Sequence, residues 1–103
     1  MNPHATPIIM KIFEVKHEYI ETIPTKLEEG IIYISEEFGV SIHLCACGCG
    51  EKTVLPIEKN GTGWTLIKNE NGTISFTPSI GNWMGQNPYH AHYYITENKI
   101  VWC

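Results

Sequence analysis

The sequence predicts a mainly β fold: a small single domain of antiparallel hairpins with a zinc-binding, cysteine-rich turn. Three observations predict it. Short runs rich in Ile, Val, Tyr and Thr are separated by Gly, Asn, Pro and charged residues, the pattern of strands closed by turns. Asn71-Gly72 and Glu97-Asn98 each stand between two alternating apolar runs, where hairpin loops belong. Cys45, Cys47 and Cys49 fall within five positions, alternating with Ala46 and Gly48. Disulfides between such close neighbours are strained, because a bridge wants its Cα atoms roughly 5.5 Å apart. Glycine instead lets the backbone curl so that several sulfurs face one ion.

The elements follow in order. Ile8 to Val15 and Glu18 to Ile23 read as an opening pair of strands, and Pro24 to Glu29 as a single helical turn. Gly30 to Ser35 and Val40 to Leu44 are strands joined by a turn at Glu36 to Gly39, the second running into the cysteines. Next comes a hairpin in which the loop Glu70-Asn71-Gly72, with Gly72 left-handed, sets Leu66 opposite Phe76. Pro78 to Tyr89 shows no alternation and reads as a loop carrying Trp83 and Met84. In the last hairpin a two-residue turn at Glu97-Asn98 pairs Ile95 with Ile100 and Tyr93 with Trp102. The same register sets His92 opposite Cys103, on the other face.

With 103 residues the chain suffices for one core, so a single domain over 1–103 is expected, with residues 1–7 flexible. A hydrophobic content of 43% marks a folded chain, and at this size a metal is a useful staple. The net charge of −4, with seven Lys and Arg in all, argues against a nucleic-acid surface. No signal-peptide pattern and no run of eighteen apolar residues is present, so the reading is cytoplasmic with no membrane partner. A reducing compartment also favours metal over disulfide as the use of cysteine.

Structural zinc takes four ligands, mostly sulfur with histidine completing the set. The expected ligands are Cys45, Cys47, Cys49 and His92, with Cys103 or His90 as alternatives for a place in the set and His43 ranking last. Glu51 is the carboxylate nearest the cluster in sequence, and neither an H-E-x-x-H nor an H-x-E with C-x-x-C pattern accompanies it. Ser79 has no base beside it in sequence, so no catalytic residue is assigned.

With these residues in view, the chain resembles a bacterial family designated domain of unknown function 6527. The resemblance spans roughly residues 18 to 103. It is carried by Gly30 to Ser35, His43 to Glu51, Trp64-Thr65-Leu66, Thr77 to Trp83, His92 to Ile95 and Val101-Trp102. It implies a metal-binding protein encoded beside E1-like, E2-like and ubiquitin-like proteins. Where that family often has a cysteine, this chain has Tyr89-His90-Ala91-His92, which leaves the ligand set open. The leading expectation is therefore a non-catalytic zinc-binding accessory or protein-interaction domain of a ubiquitin-like conjugation system. Its competitor is a zinc-dependent hydrolase or transferase acting on ubiquitin-like conjugates.

Overall fold

The computed structural model describes residues 12–58, 63–82 and 91–103, and every regular element among them is a strand. The first sheet holds β1 (Lys16–Tyr19), β2 (Ile31–Ser35), β3 (Val40–Leu44) and β4 (Lys52–Pro56) in that order. The second holds β5 (Thr65–Lys68), β6 (Ile74–Asn82), β7 (Ala91–Thr96) and β8 (Lys99–Trp102), again in chain order. All neighbours are antiparallel except β1 and β2, which run parallel with Lys16 opposite Ile31.

That parallel pair stands where an opening pair of strands was expected from Ile8–Val15 and Glu18–Ile23. β1 joins β2 through a crossover over residues 20–30, and the crossover turns Leu27 inward against Tyr33 and Ile42. Burial of Leu27, with the Glu28 amide donating to the Tyr33 hydroxyl, holds this segment where a helical turn was expected. Residues 8–11 lie outside the described residues.

The later hairpins have the expected registers. Leu66 faces Phe76, and Gly72 has φ +86°, which glycine adopts without steric cost. Ile95 faces Ile100, and Tyr93 faces Trp102. Glu97 and Asn98 both have positive φ, as a two-residue hairpin turn matched to strand twist requires. Asn98 also accepts from the Ile74 amide through Oδ1 at 2.7 Å, which pins this turn to β6. β4 was not foreseen, although Thr53 and Leu55 alternate inward along it.

The segment expected to be a loop from Pro78 departs most usefully. Through Asn82 it is strand, the second half of β6; the remainder, Trp83 to Tyr89, lies outside the described residues. Between the pairs Phe76–Ile95 and Ile80–Tyr93, β6 has three residues, Thr77 to Ser79, where β7 has one, Tyr94. This bulge hides the alternation in the sequence, and Pro78 within it has no N–H for a ladder.

Both sheets contribute to one apolar cluster. Ile32, Ile34 and Leu55 from the first meet Ile74, Phe76, Ile80, Tyr93, Ile95 and Ile100 from the second. Burying side chains of this size contributes roughly 1.5–3 kcal/mol each. Cys45 and Ala46 belong to the same cluster, so the cysteine loop is rooted in the core.

Candidate active site and cysteine loop

Strand alternation sends Ile80 and Tyr93, which face each other across the ladder, into the core. Their immediate neighbours Ser79 and His92 therefore take the opposite side of the sheet. The residue directly opposite His92 is Gly81, which has no side chain to fill the space over it. The imidazole reaches diagonally instead, a span open to long side chains on one face. Ser79 Oγ and His92 Nε2 lie 2.9 Å apart.

The backbone of Ser79 is held from the other side. Trp64 donates its indole Nε1–H to the Ser79 carbonyl at 3.3 Å. Trp64 is itself fixed by its amide, which donates to the Pro56 carbonyl at 2.9 Å. Gly63 permits this approach: a Cβ there would stand 2.7 Å from the Pro56 oxygen. The path from Gly63 through Trp64 to Ser79 sets the serine without using its side chain.

On the core side of the same strands lies the cysteine loop between β3 and β4, closed by the Cys45 amide donating to the Glu51 carbonyl. The sulfurs of Cys45, Cys47 and Cys49 all lie within 4.8 Å of one another, and Cys45 and Cys47 are 3.3 Å apart. None of the four cysteines forms a disulfide. Zinc–sulfur bonds of about 2.3 Å in a tetrahedron put sulfurs roughly 3.8 Å apart, so the gathered trio fits a metal ion with small adjustments. Burial, then hydrogen bonds from Cys49 and Cys45, push the Cys47 thiol up to about 12. A cation among the three sulfurs reverses that preference, because a coordinating thiol loses its proton.

A buried polar network joins the loop to β6 and β7. Tyr93 Oη lies 2.8 Å from His43 Nε2 and accepts from the Ala46 amide at 3.4 Å. Asn82 donates through Nδ2 to Cys45 Sγ at 3.2 Å, and its Oδ1 accepts from Thr53 Oγ1 at 3.2 Å. Burial lowers His43 to about 4 and raises Tyr93, so both are neutral partners at pH 7. Tyr93→Phe should cost ~1–3 kcal/mol in urea unfolding, since His43 Nε2 loses its partner in the core.

Among the expected ligands, the structure gathers the three cysteines, while His92 is outside that group and engages Ser79. Cys103 is exposed at the end of the last hairpin, its amide donating to the His92 carbonyl as the register required. His90 lies outside the described residues. Glu51 is exposed. What the sequence reading missed is Ser79, set aside for want of a nearby base; its partner is thirteen positions away. The signal available was that Ser79 and His92 each precede an inward-facing apolar residue on strands flanking one connection.

Among the described residues, fold and site together define a strand-built domain with a serine–histidine pair on one sheet and a three-cysteine loop behind it. The chain belongs to the family described as bacterial ubiquitination-like system serine protease (BubE), whose model matches residues 19–103. No curated protein and no solved structure matches the chain. The family corrects the expectation of a non-catalytic accessory domain: its description is that of a protease, and the hydrolase reading fits it better. The expected link to a ubiquitin-like system, with protein partners in that pathway, stands. Among the described residues no helix is long and apolar enough to cross a membrane.

Proposed function

We propose that this chain is a serine hydrolase that cleaves the acyl bond at the carboxyl terminus of a ubiquitin-like protein, in a precursor or a conjugate. The observation that carries the reading is the 2.9 Å contact between Ser79 Oγ and His92 Nε2, within reach for a nucleophile and its general base. With Nε2 unprotonated, it accepts the Ser79 proton as Oγ attacks the carbonyl carbon. The imidazolium then returns that proton to the departing amine or alcohol as the carbonyl–heteroatom bond breaks, leaving an acyl ester on Ser79. Water, deprotonated by His92, attacks the ester and releases the carboxylate, and Ser79 recovers its proton from the imidazolium.

The cysteines serve a different purpose in this reading. Cys45, Cys47 and Cys49 would supply three of the four ligands of a zinc ion, whose sulfur-rich site would contribute folding energy and no step of the reaction. His92, named from sequence as the fourth ligand, acts as the base. The family resemblance to domain of unknown function 6527 and its E1-like and E2-like neighbours is consistent with a conjugate as substrate.

The test is turnover of a ubiquitin-like protein from the same system carrying a carboxyl-terminal extension. His92→Gln should lower kcat by about 10³-fold or more, the scale of losing a member of such a pair. Wild-type turnover in that variant would show that the imidazole is not the base.

A further inference from the structure

We infer that Asn82 is a positioning residue that couples the cysteine loop to the Ser79–His92 pair, so that a metal held by the loop sets the geometry of the nucleophile. The inference rests on the hydrolase reading above and asks how that site is kept in register. Asn82 lies at the end of β6, three positions beyond Ser79, and pairs with Ala91, the neighbour of His92 on β7. It stands where the two catalytic strands reach the loop.

Its carboxamide is used at both ends. Oδ1 accepts from Thr53 of β4, and Nδ2 donates to Cys45 Sγ. Thr53 is opposite His43 in the first sheet, and His43 in turn touches Tyr93, the residue after His92. One side chain thus ties the first sheet, the sulfur loop and β6 together, and the Tyr93 hydroxyl repeats the tie on β7. An N–H donor to a ligating sulfur orients it and stabilises its negative charge; losing such outer-shell donors typically weakens metal affinity ~10–100-fold. A metal that fixes the Cys45 sulfur would therefore also fix the contact that holds this end of β6. An attacking atom is sensitive to such support, since a displacement near 1 Å costs on the order of 10²-fold in rate.

Asn82→Asp tests this with little change of shape, since a carboxylate keeps an acceptor for Thr53 and removes the donor to Cys45. Two quantities are measured on the full chain: zinc affinity, by competition with a chromophoric chelator, and labelling of Ser79 by a fluorophosphonate at saturating zinc. The expected result is a zinc affinity ~10–100-fold lower and a maximal labelling rate lower by about 10-fold or more, with an unchanged half-saturating probe concentration. Wild-type labelling, or wild-type zinc affinity, in Asn82→Asp overturns the inference. Should circular dichroism show that variant unfolded, Thr53→Val, which frees the Asn82 carboxamide, is held to the same two readouts and the same directions. A native chain that takes no label at all strikes the hydrolase reading itself, whereas a native chain that labels normally beside an unaffected variant strikes only the coupling.

Discussion

Ser79→Ala is expected to reduce turnover by at least about 10³-fold while leaving the protein folded. Loss of a nucleophile removes the covalent route, and only binding and any oxyanion stabilisation remain to accelerate attack by water. The fold should tolerate the change. Ser79 is half-buried on the outer side of its sheet, and its structural contact with Trp64 is made by the carbonyl, which alanine retains. Circular dichroism and the unfolding midpoint should therefore match wild type within about 0.5 kcal/mol, the usual range for such surface positions. An inactive but unfolded variant would mean instead that the hydroxyl is part of the packing.

Cys45→Ser is expected to produce the second large effect, and on a different property. Cys45 is fully buried, belongs to the apolar cluster and is the sulfur that Asn82 contacts. A hydroxyl there is a poor zinc ligand and a poor core atom. Bound zinc should fall from one ion per chain to none, with a loss of several kcal/mol in folding free energy, since metal binding energy contributes directly to folding in small domains. Elemental analysis and urea unfolding check both halves. Stripping the metal from wild type with a strong chelator should lower stability in the same direction, and zinc should restore it. Unchanged stability in both experiments would leave the cysteines as ordinary small core residues.

The fold was legible wherever alternation and turn chemistry were uninterrupted. Leu66 with Phe76 and Ile95 with Ile100 follow from apolar residues two apart and a loop whose length fixes the register. The cysteine trio was legible for a similar reason: its members are close in sequence, and the loop keeps them close in space. The Ser79–His92 pair was not, because its serine half lies on the stretch of β6 that a bulge disguises. Two additional residues in β6 around Pro78 break the period of two, so the run holding Ser79 looked like a loop. Once that run is a strand, Gly81 opposite His92 is enough to bring the serine and imidazole together. The parallel pairing of β1 with β2 was hidden differently: it depends on Leu27 finding Tyr33 and Ile42, a tertiary contact that no local pattern announces.

An activated Ser79 nucleophile would reveal itself in the location of a covalent adduct. Treatment of the native protein with a fluorophosphonate, followed by tandem mass spectrometry, should find one modification, on the Ser79 hydroxyl, formed with release of fluoride and suppressed in His92→Gln. A protein that cleaves its ubiquitin-like substrate yet carries no adduct, or carries it on another residue, would contradict the assignment.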